Sequence, residues 1–285
     1  MKIFHECIPC AVKQMIDAGR MASDSTEVRE KILRKALSIL QDVPFDRSPP
    51  HMAMHLHAMV RNVTGNNDPY AGIRKRYNDI ALACAEDTRI VVDIIHSSFE
   101  NAVKLAISGN VIDFGIADPG IDIDVSTVIE ETLDQSLAKN DAAELEQKIK
   151  KASNVLYLGD NAGEIVFDKI FIENFIHCKT TYAVKSEPII NDSLMEDARY
   201  VGMPDTADVI ENGAVPPAPG TILENTSDDF IRVYESADVV ISKGQGNYET
   251  LFDTDREIFF LLKAKCPVIA RDIGCSVGDI ICMKN

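Results

Sequence analysis

Residues 154–164 read NVLYLGDNAGE. Asn154–Leu158 is a short apolar run that stops at Gly159. Asp160 and Asn161 follow side by side, then Gly163 and Glu164, and a segment of helical character runs from Glu164 to Phe175. Five residues are too few for a buried helix and enough for a buried strand, so the stretch reads as strand, turn, helix. A helix start needs one side-chain oxygen to cap it. Two adjacent oxygen-bearing side chains exceed that need.

Working outward, further short apolar runs lie at Thr180–Val184, Ala207–Ile210, Val239–Ser242 and Pro267–Ala270. Between them lie helical segments at Leu194–Tyr200, Asp228–Ser236 and Tyr248–Phe252. Strands that alternate with helices predict an α/β unit whose parallel sheet is covered on both faces. Before residue 150 the pattern is helical. Val28, Ile32, Leu33, Ala36, Leu37 and Leu40 share one face, with Ser25 or Thr26 as N-cap. Ile90, Val91, Ile94, Ile95, Ala102, Val103, Ala106 and Ile107 repeat the spacing, and Ser108-Gly109-Asn110 is the expected C-cap. PFDRSPP (44–50) is a connector, and 126–151 is helical in composition, with Glu144 and Lys148 one turn apart. The expected division is therefore an all-helical part, 1–150, and an α/β part, 151–285. The Pro- and Gly-rich stretch GAVPPAPGTI (213–222) is expected as an ordered excursion.

The 285 residues fit one large or two medium domains, and the net charge is −16. Without a basic block, that charge argues against nucleic acid as a partner. Apolar runs such as IFFLL near 260 are too short to cross a bilayer, and MKIFHECIPC lacks the layout of a signal peptide, so a cytoplasmic protein is expected. Seven widely spaced cysteines do not form a secreted disulfide framework.

Ligands of open parallel sheets bind beyond the C-terminal strand ends. Three segments place polar residues there: Gly159–Glu164, Lys185–Asp192 and Lys243–Glu249. Lys263, ahead of the expected Pro267 strand, is a weaker fourth. Two Asp and one Asn would supply hard oxygen ligands for Mg²⁺ or Mn²⁺. The N–H groups of Gly163 and Gly246, where helices begin, and the ammonium of Lys243 would suit a phosphate. Each also has a plainer reading: Asp160, Asn161 and Asp192 as helix caps, Lys243-Gly244 as a turn. Residue types alone leave both open. GDNAGE is not a dinucleotide fingerprint, and no Walker motif or G-x-S-x-G is present. Cys7-x-x-Cys10 lacks the second pair of a structural zinc site and reads as packing or a redox-sensitive contact. His51, His55 and His57 lack the H-E-x-x-H arrangement and read as a polar helix face.

Together these motifs resemble the metal-dependent damage-control phosphatase family, long known as a domain of unknown function. The resemblance is carried by GDNAGE (159–164), PIINDS (188–193) and ISKGQGNYE (241–249). CIPC (7–10), TGNNDPY (64–70) with Lys75 and Asn78, and VIDFG (111–115) match its short prokaryotic and archaeal subfamily. The resemblance implies a helical domain packed on a Rossmann-like, doubly wound sheet, with the active site between them. It implies a divalent metal (Mn²⁺, Ni²⁺, Co²⁺ or Mg²⁺) on Asp160, Asn161 and Asp192. It further implies substrate contacts from Lys243, Gln245, Gly246, Asn247, Glu249 and Lys263 and, by a looser match, from Glu164 or its neighbour Gly163. Relatives carry Asp-Leu-Asn where this chain has Gln245-Gly246-Asn247, a departure that bears on substrate preference.

The leading expectation is thus a metal-dependent phosphatase of small phosphorylated metabolites, with catalysis by Asp160, Asn161, Asp192 and Lys243. The rivals are an S-adenosylmethionine-dependent carboxyl methyltransferase and a non-catalytic metal or nucleotide sensor. Oligomeric state is not readable from these residues.

Overall fold

The computed structural model describes residues 1–86, 98–111 and 125–285. Ile90, Val91, Ile94 and Ile95 of the expected helix, and all but Val111 of VIDFG, lie outside the described residues.

Among the described residues, seven strands form one sheet: β1 (Lys139–Asn140), β2 (Asn154–Leu158), β3 (Lys179–Val184), β4 (Asp208–Glu211), β5 (Val239–Lys243), β6 (Phe259–Lys263) and β7 (Ile280–Lys284). Their order is β1-β7-β6-β5-β2-β3-β4. Strands β2 to β6 run parallel, and β7 is antiparallel to β6. Counted from β2, the parallel strands run 3-2-1-4-5, the doubly wound Rossmann-like order. The winding reverses between β2 and β5, so the crevice of such a sheet opens where Gly159 and Gly244 leave those strands.

Alternation along the strands divides the interior into two layers. Val155, Tyr157, Tyr182, Val184, Ile241 and Phe259 face one side. There they meet α4 (Ala71–Glu86), α5 (Phe99–Val111), α6 (Val125–Asp134), α7 (Ala142–Lys151), α8 (Glu164–Phe175) and α9 (Met195–Tyr200). Leu156, Leu158, Val240, Phe260 and Leu262 face the other side, under α10 (Asp228–Ser236), α11 (Gln245–Leu251) and α12 (Pro267–Ile273). A strand buried on both faces reads as a continuous apolar run, which explains IFFLL as β6.

The first three helices, α1 (Cys7–Ala22), α2 (Thr26–Gln41) and α3 (Pro49–Thr64), make a separate cluster around Met15, Ile32, Ala36 and Leu56. Ser25 caps α2, its side chain accepting from the Val28 N–H at 3.4 Å. Ile189 and Ile190, from the loop after β3, are buried in this cluster. This three-helix cluster, the cap of the sheet edge, is thereby tied to the loop that carries Asp192.

Four details depart from the sequence reading. Pro267–Ala270 belongs to helix α12, where Pro267 takes the first-turn position that tolerates a missing N–H. The 126–151 segment is interrupted by β1. Pro49 and Pro50 open α3 rather than ending the connector. Ser108-Gly109-Asn110 does not end its helix: α5 continues to Val111, and Gly109 is the point of contact with α8. A Cβ on Gly109 would lie 2.9 Å from the Glu164 Cα. The expected boundary near residue 150 falls inside a shared core, because α4–α7 pack on the sheet and β1 pairs with β7.

Candidate active site

The loops after β2 and β3 zip together beyond the sheet edge. The Ser193 N–H donates to the Asp160 carbonyl at 2.7 Å, and the Ala162 N–H to the Asn191 carbonyl at 2.9 Å. Asn161 and Asp192 form a one-residue antiparallel bridge. Asp160, Asn161 and Asp192 therefore come together, as the sequence implied, each no more than 8% exposed. Ile190, two residues before Asp192, has φ 46°, a left-handed conformation rare for a β-branched residue. Its burial in the cap core holds that conformation in place.

The three side chains face a cleft of about 360 Å³ between the sheet edge and the cap. Opposite them stand Cys7, Cys10 and Ala11 of α1 and Pro49, Pro50 and Ala53 from the start of α3. Gln245, Gly246, Glu249, Lys265 and Cys266 complete the wall. Gly244 makes the floor possible. Its φ is +80°, and a Cβ there would sit 1.8 Å from the Asp160 Oδ2.

The electrostatics of the floor are those of crowded carboxylates. Burial pushes the Asp160 carboxyl well above its ordinary range, and the charges of Asp192 and Glu164 push it further. Lys265 and Lys185 act the other way. Lys185 lies 3.5 Å from an Asp192 oxygen while donating to the Gly220 carbonyl at 2.7 Å. Glu249 is pushed up to about 7 by burial, against a hydrogen bond from Gln245 at 2.9 Å.

Several expected contacts lie elsewhere. Lys243 does not face the cleft. It is fully buried, and its Nζ donates to Glu164 Oε1 (2.5 Å), Asp168 Oδ1 (2.6 Å) and the Ala106 carbonyl (2.8 Å). Burial alone would discharge this lysine; the Asp168 and Glu164 charges outweigh it and hold the ammonium charged. Glu164 is equally buried, its Oε2 accepting from the Asn161 N–H and Nδ2, each at 3.3 Å. Asn247 braces the loops instead of lining the cleft, donating to the Lys243 carbonyl at 2.9 Å and accepting from Thr221 at 2.8 Å. The Gly163 N–H, expected at an anion, donates to Asn78 Oδ1 at 2.7 Å. Lys263 ends β6 half-buried and does not line the cleft; Lys265, two residues on, does.

Asn78 is a residue whose role the sequence did not give. It binds Gly163 and donates to Asp197 at 2.8 Å. Asp197 in turn accepts from the Leu194 N–H and from buried Arg74, which also grips Asp68 of TGNNDPY through two 2.8 Å bonds. Lys75, by contrast, pairs with Asp79 on the surface. Of the three histidines, His51 and His55 lie on the outer side of α3 while His57 is buried.

No cluster of three or more His, Cys, Asp or Glu arranged for a metal ion occurs among the described residues. The set on the cleft floor is a different one: two carboxylates and a carboxamide. Hard oxygen donors of that kind fit a divalent cation such as Mg²⁺ or Mn²⁺, whose remaining positions are taken by water and substrate oxygens. Burial first, and then the charges of Asp192 and Glu164, disfavour the ionised Asp160 carboxylate, and a cation bound at this donor set would offset both.

Fold and site together define a Rossmann-like α/β protein with an oxygen-rich crevice at the switch point of its sheet. Residues 3–281 match the damage-control phosphatase ARMT1-like domain, and the chain belongs to that family. An uncharacterised protein of Methanocaldococcus jannaschii is 35% identical, covering all of this chain and 96% of its own. A protein of Pyrococcus horikoshii named as a damage-control phosphatase is 35% identical over all of this chain and 99% of its own. One of Archaeoglobus fulgidus with the same name is 32% identical over 99% of this chain and 98% of its own. The crystal structure of a DUF89 family protein from Pyrococcus horikoshii superposes with a TM-score of 0.88 at 34% identity, covering 100% of this chain and 99% of that one.

Proposed function

We propose that the chain is a metal-dependent phosphomonoesterase acting on small phosphorylated metabolites, with a role in removing damaged or harmful ones. The observation that carries this reading is the convergence of Asp160, Asn161 and Asp192 on one cleft floor at the switch point. The names of the Pyrococcus and Archaeoglobus relatives support the reaction class.

Asp160, Asn161 and Asp192 would hold the divalent cation, and the chemistry supplied there would be Lewis-acid polarisation of a phosphoryl oxygen and acidification of the attacking water. Lys265 at the rim places a positive charge beside the donor set, where it offsets the carboxylates that an incoming phosphate would meet. The α1 and α3 wall shields the reacting groups from bulk water, which strengthens every charge interaction in the cleft. Glu249, with a carboxyl poised near neutrality, is suited to deliver a proton to the departing alcohol oxygen.

The test is hydrolysis of para-nitrophenyl phosphate, then of a panel of phosphorylated metabolites, with EDTA or with added Mn²⁺. Turnover should require the metal and disappear in Asp160→Ala and Asp192→Ala. Intact Mn²⁺ binding with no turnover of any phosphate ester would overturn the reading.

A further inference from the structure

We infer that Glu164, braced by Lys243, is a positioning residue that fixes which end of the Asn161 carboxamide faces the cleft. The inference rests on the metal reading above. A carboxamide can ligate a cation only through its oxygen, because the nitrogen carries two hydrogens and donates. Which end points outward therefore decides whether Asn161 is a ligand at all.

The inward contacts answer that question. Asn161 Nδ2 donates to Asp160 Oδ2 at 3.0 Å and to Glu164 Oε2 at 3.3 Å. The Asn161 backbone N–H donates to the same Glu164 oxygen at 3.3 Å. With the nitrogen turned toward two carboxylates, Oδ1 is left for the cleft. A reversed carboxamide would set its oxygen against those carboxylate oxygens, acceptor against acceptor.

Glu164 is held in place for these contacts by the layer below. Lys243 Nζ lies 2.5 Å from Glu164 Oε1. Lys243 is itself fixed by Asp168 and the Ala106 carbonyl. Asp168 accepts from the Tyr157 hydroxyl at 2.7 Å and the Tyr182 hydroxyl at 2.9 Å. Glu164, Asp168 and Lys243 are all 0% exposed. Apolar side chains of similar volume often stabilise a fold as well as a buried ion pair does, so stability alone does not account for this one. Its contact with Asn161 gives it a use: outer-shell partners orient metal ligands.

The experiment compares Glu164→Gln with Asp168→Asn. Each removes one carboxylate from Lys243 at nearly constant volume, but only Glu164 touches Asn161. Mn²⁺ affinity is measured by titration calorimetry, thermal unfolding in EDTA monitors the fold, and para-nitrophenyl phosphate hydrolysis is followed in parallel. Both variants should unfold at a lower temperature than wild type. Glu164→Gln should weaken Mn²⁺ binding by roughly 10–100-fold, while Asp168→Asn should bind Mn²⁺ nearly as wild type does. Glu164→Asp, which keeps the charge beside Lys243 but shortens its reach, should also bind Mn²⁺ more weakly and serves if the Gln variant does not fold. Equal losses of affinity in Glu164→Gln and Asp168→Asn would overturn the inference, as would unchanged affinity in the Glu164 variants. If wild type binds Mn²⁺ and turns over while the Glu164 variants match it, the positioning role fails alone. If wild type binds no divalent cation, the metal reading fails and takes this inference with it.

Discussion

Two pairs of carboxylates lie one above the other in this protein, Asp160 with Asp192 and Glu164 with Asp168, and they live under opposite rules. The lower pair has a lysine between its members, with N–O distances of 2.5 and 2.6 Å, and is sealed from water. The upper pair opens on the cleft, and Lys185 approaches it only to 3.5 Å. Burial therefore raises Asp168 only to about 6, whereas Asp160 is driven well above its ordinary value. A carboxylate clasped by an ammonium braces the fold, and one on the cleft floor is left within reach of a ligand.

Removing the matching charge should break the contrast most severely. Lys243→Met leaves two buried carboxylates uncompensated and should destabilise the protein by about 3–5 kcal/mol in urea unfolding. A loss below 1 kcal/mol would mean that Lys243 does not offset the lower pair in the folded protein.

Glu249 sharpens the contrast from a third position, since it is buried with a hydrogen bond but without a close lysine. Its folded pKa is raised from 4.5 to about 7. The stability it contributes is fully present below pH 4.5 and is lost as pH rises through 7. Metal-free protein should therefore lose roughly 3 kcal/mol across that window from this group. Glu249→Gln should flatten the profile, and superimposable wild-type and variant curves would refute the assignment.

Gly244→Ala asks how tightly the upper pair is seated. The added Cβ, 1.8 Å from the Asp160 Oδ2 on a backbone at φ +80°, forces the carboxylate to move. A stability loss of about 2 kcal/mol is expected from the backbone conformation and the displacement together. Mn²⁺ binding should fall with it, and an Ala variant with wild-type affinity would show that Asp160 has room to shift.

The smallest change in stability should have the opposite sign. Asp192→Asn removes one of two repelling charges and should raise the melting temperature of the metal-free protein by roughly 2–4 °C. Metal-dependent turnover should drop by more than the roughly 10–100-fold typical of losing an outer-shell partner. A lowered melting temperature would show that Lys185 already neutralises the pair.

The sequence revealed strands better than side-chain directions. Asn154–Leu158 and Val239–Ser242 stood out because strands buried on both faces are uninterrupted apolar runs. Phe259–Leu262 of β6 has the same character, too short for a membrane span and of the length of a buried strand. Pro267 misled because an apolar run after proline fits a strand as well as the first turn of a helix. That Asp160, Asn161 and Asp192 come together was legible only through the accompanying motifs, because residue types alone fit helix caps as well as a ligand set. Lys243 was not, since nothing in KGQGN tells whether a lysine at a strand end reaches for solvent or folds back under the sheet. Lys263 and Lys265 differ by two residues, and only the position where β6 stops separates them.

Gly109 carries a last consequence, for anyone recombining this protein with a relative. Its missing side chain lets α5 lie against the backbone of Glu164. The Ala106 carbonyl one turn earlier takes a bond from Lys243, and Asn78 holds the N–H of Gly163. All three come from the first 150 residues, and all three support groups under the cleft floor. A chimaera joined at the chain's apparent midpoint would exchange half of the site's foundation while leaving its visible residues untouched. A crossover just before Ala71 would carry the cap alone and keep those three contacts on their parental partners.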